Sequence, residues 1–228
     1  MDVGILLLAA GSGSRFGGII PKQYVQVHDK PLLMVTLEHL AREPRITVVQ
    51  PVIAQGDEHF SDAIADVSLP FDLLPAVYGG EARSISMQQG LKALPAHVDM
   101  VAVHDAARPL PSAALLADVI DRAEQFGAAV PGVPVTDTIK RIDEQGKVID
   151  TPERSCLRAV QTPQVARRDW FEQAISMEAE RLHTHTDDAS LLEAAGFPVH
   201  ISRGDAMNRK ITTAEDMIWL HRQLEVGV

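Results

Sequence analysis

Runs of Val, Ile and Leu recur along the chain, alternating with segments in which apolar residues return every three or four positions. The runs near 3–9, 46–53, 73–78, 98–104, 127–135 and 198–202 are short and almost unbroken, which predicts strands covered on both faces. The spaced segments at 31–42, 57–65, 81–94, 112–126, 167–182, 187–195 and 213–225 predict helices. Such alternation predicts an α/β domain, a parallel sheet covered by helices. Pro31 reads as the first residue of its helix, where a missing N–H is harmless. Thr212, three residues before Glu215, reads as a capping box for the last helix.

One stretch breaks the alternation. Residues 138–158 read as two polar strands, 138–142 and 147–150, around the turn Asp143-Glu144-Gln145-Gly146. That predicts a β-hairpin arm standing off the sheet. An arm of this size does not bury its own faces, so a partner chain is expected. The chain shows no internal repeat and no low-complexity tract.

Composition narrows the picture. A chain of 228 residues, 46% of them hydrophobic, suits a single folded domain over 1–228 with its own core. Cys156 is the sole cysteine, which rules out an internal disulfide and suits a reducing, cytoplasmic setting. The apolar run near the start is too short to span a membrane. The net charge of −10 opposes broad binding to nucleic-acid backbones, so neither a nucleic-acid nor a membrane partner is expected. Small phosphorylated ligands remain compatible, because a few local cations suffice for them.

Candidate chemistry gathers where strands end. After the first strand, Ala9, Ala10, Gly11 and Gly13 let backbone N–H groups approach a phosphate, and Arg15 and Lys22 bracket the loop with two cations. Phe16 stands where a dinucleotide fold has its third glycine, and the Gly-Lys-Ser/Thr ending of a P-loop is missing. The loop is therefore a phosphate loop of a third kind, or a tight turn with two solvated charges. Asp105, directly after His104, falls at the carboxyl end of a strand, where open α/β sheets bind ligands. It suits Mg²⁺ or a hydroxyl group, or it caps the next turn. His104 reads as oriented by packing rather than catalytic. Gly79-Gly80-Glu81-Ala82-Arg83-Ser84-Ile85-Ser86 again follows a strand, and Arg83 and Ser86 share one face of a helix start. His183 and His185 lack the company of a metal site, Asp187-Asp188 reads as an acidic helix start, and no Gly-x-Ser-x-Gly elbow is present.

Together these segments resemble the 2-C-methyl-D-erythritol 4-phosphate cytidylyltransferase family, over nearly the whole chain. The resemblance rests on Ala9-Ala10-Gly11-Ser12-Gly13-Ser14-Arg15, Pro21-Lys22-Gln23-Tyr24, Gly79-Gly80-Glu81-Ala82-Arg83 and His104-Asp105-Ala106-Ala107-Arg108-Pro109. It continues through Asp137-Thr138-Ile139-Lys140, Thr162-Pro163-Gln164, Thr186-Asp187-Asp188-Ala189-Ser190 and Asn208-Arg209-Lys210-Ile211-Thr212, in the family's order. Leu8 and Arg209 depart from it, standing where many members have proline and an apolar residue. The resemblance implies a Rossmann-like nucleotidyltransferase domain with a mixed, mainly parallel sheet and a protruding arm. It implies CTP, a polyol phosphate and Mg²⁺ as ligands, with Asp105 toward the metal, and a homodimer joined through the 138–158 arm.

By the same resemblance Arg15, Lys22, Arg154 and Lys210 are the catalytic cations. Ala9, Ala10, Gly11, Gly13, Gly80, Glu81, Arg83 and Ser86 would meet the nucleotide. Asp105, Arg108, Thr138, Arg154 and Lys210 would meet the acceptor. A ribitol 5-phosphate cytidylyltransferase, a sugar-1-phosphate nucleotidyltransferase and a non-catalytic nucleotide sensor stand as alternatives.

Overall fold

The computed structural model describes residues 2–11, 20–65 and 67–226. Its first half runs β1 (Val3–Ala9), the short pair β2 (Gln26–Val27) and β3 (Lys30–Pro31), α1 (Leu32–Leu40), β4 (Ile46–Ile53), α2 (Phe60–Ala63), β5 (Asp72–Leu73), β6 (Val77–Tyr78), α3 (Arg83–Ala93) and β7 (Met100–Asp105). There follow α4 (Ala113–Phe126), β8 (Ala128–Pro134), the arm strands β9 (Arg141–Ile142) and β10 (Val148–Asp150), β11 (Arg158–Val160) and β12 (Gln164–Arg167). The chain closes with α5 (Arg168–Met177), α6 (Asp188–Ala194), β13 (His200–Arg203) and α7 (Ala214–Glu225).

The main sheet has the order β11-β8-β12-β7-β1-β4-β5, with β13 beside β8 and β6 beside β4. The pairs β1–β4, β1–β7, β4–β5, β4–β6 and β13–β8 are parallel, whereas β12 and β11 run antiparallel to their neighbours. The sheet is thus mixed and mainly parallel, as the resemblance implied.

Strand β1 shows why an unbroken apolar run is needed. Side chains on a strand alternate between faces. Ile5 and Leu7 join one core cluster with Leu37 of α1 and Val119 of α4, while Leu6 joins another with Met87 of α3 and Phe171 of α5. Both faces are dry, so neither set of positions tolerates a polar residue. A third cluster packs α7, through Met217 and Leu220, against Val27 and Leu32.

The local expectations need several corrections. Pro31 sits at the N-cap position of α1, because it also closes the β2–β3 pair. The capping box of α7 lies one residue on, with Thr213 as N-cap and Asp216 at N3. Thr212 is drawn out of it, since both its N–H and its hydroxyl donate to Asp216 Oδ2 at 2.8 Å. The helix expected over 57–65 shrinks to Phe60–Ala63, and the strand over 73–78 splits into β5 and β6. The start of the segment taken as helix from 167 follows an unforeseen strand, β12, wedged antiparallel between β7 and β8. Four residues are too few to display a strand period. The arm pairs over fewer residues than expected, with Ile142 opposite Val148 and Arg141 opposite Asp150. The main sheet leaves little of the arm covered, and Ile142, Val148 and Ile149 are each more than half exposed.

Candidate active site

Chain direction reverses about β1. The chain moves from β1 outward through β4 and β5, then returns to β7 on the other side of β1. Adjacent parallel strands whose connections leave in opposite directions open a crevice at their carboxyl ends. A cleft of about 310 Å³ occupies that place. Its walls are 8–11 at the end of β1, Lys22 and Gln23, 80–83 and Ser86 at the start of α3, 105–107 at the end of β7, and Lys210 with Thr212.

Each wall is held by identifiable bonds. Lys22 opens a three-residue 3₁₀ turn, and the neighbouring Gln23 is buried with its Nε2 donating to Ala9 O at 2.7 Å. Tyr24 Oη donates to Asp57 Oδ2 at 2.6 Å, which ties the turn to the start of α2. Lys22 Nζ itself donates to Ile211 O at 3.0 Å. At α3, Ala82 is the N-cap and supplies no side-chain cap, so the first N–H groups of the helix face the cleft as donors for an anion. Gly79 and Gly80 are required by packing there. A Cβ on Gly80 would stand 2.2 Å from Ile85 Cγ2, and one on Gly79 2.5 Å from Ser86 Oγ. Gly80 N–H donates to Ser86 Oγ at 3.1 Å, so Ser86 fixes the loop it follows.

The β7 end is anchored by a run of oriented hydrogen bonds. Asp105 N–H donates to Thr162 Oγ1 at 3.1 Å, and Thr162 lies 3.0 Å from His104 Nδ1. His104 Nε2 lies 3.0 Å from Arg108 O, where only an N–H suits a carbonyl. His104 is therefore the neutral Nε2–H tautomer, with Nδ1 accepting from the Thr162 hydroxyl. Burial agrees, pushing its pKa down to about 4. His104 is thus fully buried and held by bonds to Thr162 and Arg108 at the strand end.

The charges in the cleft are arranged in pairs. Asp105 Oδ1 accepts from Arg83 Nε at 3.2 Å and Oδ2 from Lys210 Nζ at 2.7 Å. Burial pushes the Asp105 carboxyl up, but Arg83, Lys210 and Arg108 outweigh it and hold the group well below the usual carboxylate range. Arg83 Nη1 also donates to Asp188 Oδ2 at 2.8 Å. Lys210 owes its place to the preceding segment. Asn208 Nδ2 donates to Thr162 O, Arg108 Nη1 to Asn208 O, and Ile211 N to Ala107 O, each at 2.8 Å. Arg209 is turned outward onto Asp216 and the Trp219 ring.

The structure thus brings together Ala9, Ala10, Gly11, Lys22, Gly80, Glu81, Arg83, Ser86, Asp105 and Lys210. Gly13 and Arg15 lie outside the described residues. Arg108 lies behind the wall rather than in it, bonded to the Asn208 carbonyl. Thr138 and Arg154 belong to the arm and do not line the cleft, and Arg154 Nη1 donates to Thr136 O at 2.7 Å. Reasoning from sequence missed the supporting roles of Gln23, Thr162, Asn208 and Asp188. All four lay inside the quoted segments as buried polar residues, which carry no local period. Among the described residues no cluster of three or more His, Cys, Asp or Glu is placed to hold a metal. No helix in the described residues is long and apolar enough to cross a membrane.

A mainly parallel sheet with a cleft of about 310 Å³ at its switch point, walled by a helix N-terminus and two lysines, has the layout of an α/β protein that binds a phosphorylated ligand, as a nucleotidyltransferase does. The particular family follows from comparison. The model of the IspD family, 2-C-methyl-D-erythritol 4-phosphate cytidylyltransferase, matches residues 3–225, and the chain belongs to that family. The 2-C-methyl-D-erythritol 4-phosphate cytidylyltransferase of Desulforamulus reducens is 41% identical over 211 residues, covering 92% of this chain and 90% of that protein. The crystal structure of 4-diphosphocytidyl-2C-methyl-D-erythritol synthase from Anaerococcus prevotii superposes with a TM-score of 0.86 at 29% identity, covering 98% of both chains. That of the 2-C-methyl-D-erythritol 4-phosphate cytidylyltransferase from Thermus thermophilus gives 0.79 at 30% identity, covering 99% of this chain and 100% of that one.

Proposed function

We infer that this chain transfers CMP from CTP to the phosphate of 2-C-methyl-D-erythritol 4-phosphate. A phosphate oxygen of the acceptor attacks the α-phosphorus of CTP, the bond to the β-phosphate oxygen breaks, and pyrophosphate leaves. The observation that carries this reading is the convergence of Lys22, Lys210 and the α3 N-terminus on one cleft, in a chain of this family. Two anions must meet, and negative charge moves onto the leaving oxygen, so fixed cations and N–H donors supply the catalysis by position.

In this reading Lys22, with Arg15, serves the triphosphate. The backbone of Ala9, Ala10, Gly11, Gly80 and Glu81, fixed by Ser86, meets cytosine and ribose. Lys210 and Asp105 meet the acceptor, joined by Thr138 and Arg154 from the arm of a second copy. The exposed Ile139, Ile142, Val148 and Ile149 on that arm support a homodimer, because apolar groups so displayed favour burial against another chain. Asp105 is the buried carboxylate of the cleft, and both its oxygens already accept from cations. A single such donor fits a magnesium ion held chiefly by phosphate oxygens and water rather than by a protein cage. When bound with CTP, magnesium supplies neutralisation of the polyphosphate charge.

Pyrophosphate release tests the reading directly. CTP with 2-C-methyl-D-erythritol 4-phosphate should exceed ATP or GTP with the same acceptor by roughly a hundredfold in kcat/KM, about 2.7 kcal/mol. Comparable turnover of ATP would overturn the cytidylyl reading. Faster turnover with ribitol 5-phosphate would overturn the acceptor.

A further inference from the structure

The pair Asp187-Asp188 reads in sequence as nothing more than an acidic helix start, and Asp187 behaves that way. Its Oδ1 accepts from Ser190 N at 3.0 Å as the N-cap of α6. Asp188 does something else. It is 1% exposed and faces Arg83 across the cleft wall. Asp188, Arg83, Asp105 and Lys210 form a line of alternating charge, joined by contacts of 2.8, 3.2 and 2.7 Å.

The geometry of the guanidinium gives this line a direction. Arginine grips a carboxylate best with two parallel N–H groups. Arg83 does not do so. It gives Nε to Asp105 and Nη1 to Asp188, one bond to each. The third nitrogen, Nη2, is buried and bonded to neither, and Asp188 Oδ1 is likewise buried without a partner. An arginine freed from Asp188 would regain the fork by turning Nε and Nη2 together onto Asp105. Nη2 would then compete with Lys210 for Oδ2 and weaken or shift the bond that now places the ammonium, although an oxygen with two lone pairs is not filled by one donor.

We propose that Asp188 is a positioning residue for the acceptor side of the cleft, holding Arg83 to a single bond with Asp105 and so reserving Asp105 Oδ2 for Lys210. The mounting of Asp188 suits this task. Gln164 of β12 clamps the start of α6, donating from Nε2 to Asp187 Oδ2 at 2.9 Å and accepting from Ala189 N at 2.8 Å. Ser84 Oγ, beside Arg83, donates to Leu182 O at 2.6 Å and holds α3 against the segment that leads to α6. The inference rests on the reading of Lys210 and Asp105 as acceptor residues.

The test uses the full chain with Asp188→Asn, Arg83→Gln, the double variant and Lys210→Ala, measuring acceptor KM, kcat and CTP affinity by calorimetry. Asp188→Asn should raise the acceptor KM about tenfold and leave CTP affinity within about twofold. In the Arg83→Gln background the same change should add almost nothing, because no guanidinium remains to restrain. A lowered melting temperature with unchanged KM would make Asp188 a structural ion-pair partner and overturn the proposal, as would additive penalties. If Lys210→Ala itself leaves the acceptor KM unchanged, the reading of the acceptor site is what has failed. If Lys210→Ala is defective and Asp188→Asn is not, the positioning role has failed. Should Asp188→Asn not fold, Gln164→Ala loosens the same helix start with every charge in place. It should raise the acceptor KM about threefold, and an unchanged value overturns the proposal.

Discussion

In the cleft, Lys210 and Arg83 each bond a carboxylate 105 residues away in sequence, whereas on the arm Arg154 bonds a carbonyl only 18 residues away. The neighbouring Arg158 reaches no further than Ser155 and Leu157, and Arg141 pairs with Asp150 across its own hairpin. The cleft is half-buried and its charges hold one another in place before any ligand arrives. The arm is exposed, its cations are satisfied locally, and its apolar side chains face outward. Preorganisation explains the contrast. Electrostatic catalysis needs charges that do not reorganise during the reaction, which only a rigid, long-range scaffold supplies. An arm that acts on another subunit needs only a surface that fits one.

The comparison breaks first at Lys22. Lys22→Ala should lower kcat by a hundredfold to a thousandfold, about 2.7–4 kcal/mol, with a smaller change in acceptor KM. Steady-state kinetics with a melting curve provides the check, and near-normal turnover would mean that the cleft is not preorganised around this amine.

Acid should strain the main domain and spare the arm. Burial pushes His39 and His104 down to about 4, while an unfolded histidine titrates near 6.5. Between those values the unfolded chain binds the extra protons, so stability present at neutral pH is lost as pH falls from about 6.5 toward 4. By pH 5.5 the loss should reach about 1.4 kcal/mol for each histidine. The arm, residues 138–158, contains no histidine. Denaturant midpoints that stay flat between pH 7 and 5 would show that these two rings are not held neutral. Asp105, held low by its cations, loses its contribution only below the ordinary aspartate range, in a separate window.

On the arm, Arg154→Lys should raise the acceptor KM about fivefold, roughly 1 kcal/mol, because an ammonium cannot reproduce a planar fork on phosphate. CTP binding by calorimetry should be unchanged. Equal weakening of both ligands would place Arg154 with the nucleotide or the fold.

The smallest effect sharpens the comparison most. If each arm serves the neighbouring cleft, a mixture of Lys22→Ala and Thr138→Ala chains contains hybrid dimers with both lesions in one site and none in the other. After equal mixing, activity should recover to roughly a quarter of wild type. No recovery, or a monomer at assay concentration by analytical ultracentrifugation, would leave the arm serving its own chain.

Much of this molecule was legible before folding. Strands β1, β4 and β7 announced themselves because burial on both faces forces a mostly apolar run, interrupted in β4 by Thr47 and Gln50 and ended in β7 by His104 and Asp105. Lys210 was implied only by the family resemblance, but the glycines at 79 and 80 and the lysine at 22 stood out as residue types that phosphate chemistry favours. Those readings depend on local periodicity and on composition, which a chain carries whatever its fold.

Other features had no local signature. Strand β12 is four residues long and is stabilised by its neighbours β7 and β8 rather than by its own period. Thr213 rather than Thr212 became the N-cap, because Asp216 reaches back and draws Thr212 toward the cleft wall. Asp188 in sequence is one acid beside another at a helix start, and only the return of α6 to the start of α3 gives it Arg83 as a partner. The sequence by itself determined which residues must be buried and which chemistry was at hand. The tertiary structure alone decided which charges meet, because a contact across 105 residues depends on where the whole chain turns back and not on any spacing within it.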